Sequence, residues 1–123
     1  MIDKGLIRTN LITVNEENTV SEIQSLFNYQ RDLVVLSGQR CVGIINESLA
    51  YRLNMDPSTT KVKNLMQRPP KASGEESPEQ VAKLMVESGL KLIPVADAND
   101  VYIGGILADD IIELLINDLR VII

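Results

Sequence analysis

The residues best equipped for chemistry stand in "IGGILADDIIELL" (residues 103–115), where a glycine pair and a short apolar run lead to Asp109 and Asp110. Adjacent carboxylates at the start of an apolar helix have two uses. They accept from free backbone N–H groups and complement the helix dipole, or they accept hydrogen bonds from a ligand. Asp109 is assigned to the first use, as a cap. Two further acidic pairs, Glu16-Glu17 and Glu75-Glu76, fall in corresponding turns. Clustered oxygens suit a hard divalent cation, but solvated turn carboxylates account for them more simply. Other chemistry is poorly supplied. The chain has no histidine, so it lacks the commonest general acid/base and metal ligand. Ser-His and Cys-His arrangements go with it, and no P-loop is present. The single cysteine, Cys41, has no internal disulfide partner and reads as a small hydrophobe at the start of an apolar strand. A non-catalytic protein is expected.

Composition narrows the partners. The 123 residues are 45% hydrophobic and 24% charged, a globular balance, with three Tyr, one Phe and no Trp. The core must be built from Ile, Leu, Val and Met. Net charge is −5 and no basic stripe occurs, which argues against nucleic acid, whose binding rests on neutralising phosphates. No apolar run approaches the roughly 18 residues of a membrane span, so no membrane insertion is expected. The first residues carry no signal-peptide pattern. With one cysteine, a cytoplasmic setting is the simplest expectation.

The elements that must position the aspartates form an internal repeat. "TVSEIQSLF" (residues 19–27) and "SPEQVAKLM" (residues 77–85) share one plan. Each starts with a Ser/Thr cap, followed three residues later by Glu22 or Gln80, the capping-box pattern. Apolar residues then recur at helical spacing: Ile23, Leu26 and Phe27 in one, Val81, Leu84 and Met85 in the other. Pro78 suits a first helical position, where its missing N–H costs nothing. A β-type run follows each helix, "LVVL" or "KLIPV", then a polar turn, a second run ("CVGII" or "VYIGGIL") and a closing helix. This predicts an α/β (α+β) chain of two β-α-β-β-α copies, 1–55 and 56–123. The second span includes a Pro/Ser/Gly-bearing connection with a short helical turn at "VKNLM". A unit of about 60 residues is marginal alone, so the copies are expected to pack sheet to sheet as one pseudo-twofold module.

The ordered set of motifs, occurring twice, resembles a CBS-domain pair, also called a Bateman module. "VKNLMQRPP" is similar to the family's lead-in motif, "SPEQVAKLMVESGLKLIPVAD" to its helix-to-strand core and "GGILADDIIELL" to its closing segment. The first copy matches through "LITVNEENTVSEIQSLF" and "CVGIINESLAYRL". The resemblance implies sheet-to-sheet packing with two clefts that take adenosine compounds: AMP, ADP, ATP, S-adenosylmethionine or NAD. The family's contact motif runs from a glycine through a Thr/Ser to an aspartate that accepts from the ribose hydroxyls. Residue by residue it places Gly104 at the glycine, Ile106 just before the Thr/Ser slot, Leu107 in that slot and Asp110 at the ribose. The first copy has Gly43, Asn46 and Leu49 in those places. The family's crossed arrangement implies that the Asp110 cleft is completed by Ile7, Arg8 and Ile12 and by Asp32 and Leu33, with Lys91 as a phosphate contact. A hydrogen bond to a charged group contributes about 1.5–3 kcal/mol. The Leu49 cleft is therefore expected to bind roughly ten- to a hundredfold more weakly.

The same resemblance implies a regulatory role, with no cofactor required and an adenosine nucleotide or S-adenosylmethionine as ligand. Ligand would bias the arrangement of the copies, and an effector protein or attached domain would read it. The closing helix is apolar on two sides, Ile111, Leu114 and Leu115 on one and Ile112, Ile116 and Leu119 on another. One stripe would suffice, so the surplus suggests a partner surface. The resemblance implies a homodimer through these helices, and the apolar "RVII" end either pairs within that dimer or marks a piece of a longer protein. A structural alternative is a dimerisation or protein-docking module with empty clefts, favoured by apolar Leu49 and Leu107.

Overall fold

The computed structural model describes residues 4–52 and 54–122, with side chains from residue 5 to residue 117 within that span. The chain is α+β, with a three-stranded and a two-stranded sheet. It divides into two compact units, Leu11–Pro69 and Met1–Asn10 joined with Pro70–Ile123. The units thus cut across the sequence copies. Each takes its lead-in segment from the stretch preceding the other copy, because that is where the backbone hydrogen bonds go.

In the Leu11–Pro69 unit the order is β1 (Thr13–Asn15), α1 (Val20–Ile23), β2 (Asp32–Ser37), β3 (Arg40–Asn46) and α2 (Glu47–Ala50). Strand β1 runs parallel to β2, and β2 pairs antiparallel with β3 from Asp32↔Asn46 to Ser37↔Arg40. Gly38 turns this hairpin with φ 62°, a left-handed value that costs glycine little. Side chains alternate across a strand, and Leu33, Val35 and Ile45 pack with Val14, Val20, Ile23, Phe27, Val62 and Leu65. The lead-in segment is held to this unit by Ile44 and Gln67, which exchange backbone hydrogen bonds of 2.8 and 2.9 Å.

Two expectations change here. The helix over residues 19–27 is a single α-turn, α1, that continues as a 3-10 helix over Gln24–Asn28. No glycine stands where it ends, and the Gln30 side chain instead fastens the following chain to Ile12 and Asp32. The closing helix α2 has only 4 residues; its cap is Asn46, whose Oδ1 accepts from the Leu49 N–H at 3.0 Å.

The other unit contains α3 (Pro78–Ser88), β4 (Leu92–Ala96), β5 (Tyr102–Leu107) and α4 (Ala108–Ile122). Helix α3 has the full capping box: Gln80 Oε1 accepts from Ser77 N–H at 2.7 Å, and Ser77 Oγ accepts from Gln80 N–H at 3.2 Å. It ends at Gly89 in the left-handed region, whose N–H reaches the Met85 carbonyl at 2.9 Å, a glycine stop of the usual kind. Strands β4 and β5 pair antiparallel from Leu92↔Leu107 to Ala96↔Tyr102. The leading strand expected for this copy is reduced to one parallel bridge, Ala72↔Val95. Pro69 and Pro70 before it offer no N–H, and Gly74 turns the chain away at φ 96°. The core side chains Val81, Met85, Leu92, Ile93, Val95, Ile106 and Ile111 are buried.

Residues around Arg8 form an edge on this unit. Arg8 N–H donates to the Gly105 carbonyl at 2.8 Å and Gly105 N–H to the Arg8 carbonyl at 2.9 Å. A Cβ on Gly104 would lie 2.5 Å from the Arg8 carbonyl oxygen and 2.9 Å from Ile7 Cγ2. At the matching place in the other unit, a Cβ on Gly43 would meet the Met66 side chain. Backbone cannot yield as a flexible methionine can. Gly104→Ala should therefore cost about 1–3 kcal/mol, lowering the urea midpoint more than Gly43→Ala does; equal losses would contradict the close backbone approach.

Candidate functional site

The end of β5 delivers the chain into α4, and the turn is fixed by Ala108 N–H donating to the Lys91 carbonyl at 2.8 Å. Helix α4 begins at Ala108, so Asp109 and Asp110 both lie in its first turn. Asp109 is exposed and one residue inside the helix. It complements the dipole there, which corrects the expectation that it is the cap itself. Asp110 faces the lead-in segment. Arg8 Nε donates to its Oδ2 at 2.8 Å and Nη2 to its Oδ1 at 2.9 Å, a two-pronged ion pair. The Asp110 side chain is 18% exposed and that of Arg8 47%. The Arg8 hydrogen bond holds the Asp110 carboxyl below its ordinary value, against the opposing effect of partial burial. The guanidinium is raised by the same contact.

The remaining residues of this unit divide by exposure. Ile7 is half-buried against Gly104. Leu107 is partly exposed at the strand end, whereas Ile106 is fully buried and serves the core with its side chain. Lys91 is exposed immediately before β4. One unit thus gathers Ile7, Arg8, Lys91, Ile106, Leu107 and Asp110.

Ile12, Asp32 and Leu33 belong to the Leu11–Pro69 unit. Leu33 is fully buried in its core, and Asp32, 7% exposed, is the buried charged residue among the described ones. Asn46 Nδ2 donates to Asp32 Oδ1 at 3.2 Å. Gln30 ties Ile12 to Asp32: its Oε1 accepts from Ile12 N–H at 2.8 Å, and its Nε2 donates to the Ile12 and Asp32 carbonyls at 3.1 and 2.8 Å. Nothing in the spacing of the sequence singles out Gln30. Arg31 was also missed; with Asn46, Glu47 and Ser48 it lines a hollow of about 260 Å³. Its signal was available, since it precedes β2 as Lys91 precedes β4.

The two units differ in charge at matching places. Where one sets Arg8 against Asp110, the repeat register gives the other Gln67 and Leu49. Leu49 is a partly buried hydrophobic packed on the core. The acidic pairs do not assemble an ion site: among the described residues no group of His, Cys, Asp or Glu is placed to hold a metal. Lys61 and Lys63, at 2.6 and 2.7 Å, pull Glu17 down to about 2, and Glu76 accepts from the Ser73 and Gly74 N–H groups. Among the described residues no helix is long and apolar enough to cross a membrane.

The sequence profile of the CBS domain matches residues 4–48 and again 62–117. The chain belongs to the CBS domain family. It is a pair of CBS repeats, a regulatory module. A CBS domain pair/ACT domain protein from Thermotoga maritima shares the fold at a TM-score of 0.81, with 24% identity over 97% of this chain and 99% of that one. The CBS-pair protein CBSX2 of Arabidopsis thaliana gives 0.80, with 20% identity over 93% and 92%. The cytosolic domain of the Mg²⁺ channel MgtE, solved in complex with ATP, gives 0.75 with 22% identity over 89% of this chain and 47% of that one. Comparison with curated protein sequences finds no match.

A depressed carboxyl pKa stabilises the fold above the group's unfolded value, about 3.9 for Asp. That contribution is lost as pH falls through the lower folded value. NMR titration of the Asp110 carboxyl carbon should give a midpoint below the ordinary one, and Arg8→Gln should move it upward. An unchanged midpoint would contradict the ion pair.

Proposed function

We propose that this CBS pair is a non-catalytic, cytoplasmic sensor of an adenosine-type ligand, AMP, ADP, ATP, S-adenosylmethionine or NAD, with Asp110 as the ribose acceptor. The observation that carries the reading is Asp110 itself. It is a partly exposed carboxylate at the start of α4, kept ionised by Arg8, in the place where the family sets its ribose aspartate. The ATP complex of the MgtE domain supports the ligand class. The absence of histidine supports binding without turnover. Ligand binding at Asp110 would favour one arrangement of the repeats, which a partner protein or attached domain reads.

A homodimer through α4 is part of the same reading, and the rival docking reading rests on the same surface. Ile112 and Ile116 on α4 are 53% and 45% exposed, and Val86 on α3 is exposed as well. Ile112 and Val86 line a groove of about 320 Å³ together with Met85, Leu90, Ile111 and Leu115. The side chains of Leu119 and of "RVII" lie outside the described side chains. Sedimentation of Ile112→Glu should show a lighter species than the wild type; an unchanged mass would remove α4 from the dimer.

A thermal-shift panel of the five ligands decides between sensor and empty docking module. Ligand at about a hundred times its dissociation constant adds about 2.7 kcal/mol, several degrees for a domain of this size. Asp110→Ala should weaken binding roughly ten- to a hundredfold. Titration should find one strong site per chain, because Leu49 replaces the aspartate in the other repeat. A flat panel contradicts the sensor and leaves the docking module.

A further inference from the structure

We propose that the Arg8–Asp110 pair selects the ligand: an adenosine carrying a 5′-phosphate is admitted, whereas the bare nucleoside or a 5′-sulfonium compound is disfavoured. This rests on the reading of Asp110 as ribose acceptor and narrows its ligand class. Both Asp110 oxygens already accept from the guanidinium, at 2.8 and 2.9 Å. A vicinal diol needs the same two oxygens along one edge of the carboxylate, the edge that the fork occupies. Ribose and Arg8 therefore compete for Asp110.

The exchange is confined to side chains. Arg8 stays on β5 through its two backbone bonds to Gly105, with Ile7 packed on Gly104. Its side chain, 47% exposed, has room to turn. Guanidinium does not lose its proton in proteins, so it cannot shed its charge. Displaced from Asp110 it loses two charge-assisted bonds, which are the strong kind. A phosphate on the 5′ carbon of the same ribose restores a fork-shaped partner. Adenosine offers none. S-adenosylmethionine places a positive sulfur at that carbon and repels the displaced guanidinium. In the other repeat the matching residues are the uncharged Gln67 and Leu49, so this exchange belongs to the Asp110 site alone.

Calorimetric titration of the whole chain with AMP, adenosine and S-adenosylmethionine tests the exchange in wild type, Arg8→Gln and Arg8→Lys. Circular dichroism checks that each variant is folded. Wild type should bind AMP at least about tenfold more tightly than adenosine. In Arg8→Gln the two ligands should move in opposite directions, adenosine tighter and AMP weaker, so that the preference collapses. Arg8→Lys, which keeps the charge without the fork, should retain part of it. Equal binding of AMP and adenosine by wild type would overturn the selection while leaving Asp110 as ribose acceptor. So would an equal loss of both ligands in Arg8→Gln, which would make Arg8 only a brace. Binding of none of the three by wild type would overturn the ribose reading, and the selection with it.

Discussion

The fork of Arg8 on Asp110 depends on a backbone approach that only glycine permits. At Gly104 any side chain would collide with the Arg8 carbonyl. Its absence lets the lead-in segment lie along β5 and exchange two hydrogen bonds with Gly105. That pairing sets Arg8 beside the start of α4, and the capped turn from Lys91 to Ala108 sets Asp110 to meet it. The charge arrangement at the site thus follows from strand geometry, and the acidic helix start becomes half of an ion pair.

The two repeats share a plan and differ in what they place at its functional end. The Asp110 repeat closes with a helix of 15 residues and a charge pair. The other closes with a helix of 4 residues, capped by Asn46 and containing Leu49, which packs on the core. Asn46 there serves two tasks at once, capping α2 and donating to buried Asp32. At that helix start the polar side chain serves the protein's own structure. A site with a fixed carboxylate and cation remains available to a charged ligand.

Much of this was readable from residue types. The capping box of Ser77 and Gln80 and the paired β-type runs after each helix depend on local chemistry, and they appear where the pattern predicts. Local chemistry also misled. The cap at Thr19 starts a helix that tightens to 3-10 after one turn, because nothing local set its length. The leading strand of the second copy shrinks to a bridge at Ala72, since two prolines stand before it. Asp110 could be singled out by repeat register, and the family's crossed arrangement set Arg8 beside its cleft, but no spacing showed that the two would form an ion pair. Arg8 is 102 residues away, and only the edge pairing with Gly105 brings it near. Gln30 was invisible for a similar reason: its amide joins the backbone of Ile12, just before β1, to that of Asp32 at the start of β2, and no spacing rule marks such a clip.

The most direct test of the account is a crystal structure of the chain with AMP bound. The account predicts ribose hydroxyls on the two Asp110 oxygens, with the Arg8 guanidinium moved onto the phosphate while its backbone stays paired with Gly105. An Arg8–Asp110 fork left intact, with AMP bound elsewhere, would contradict it.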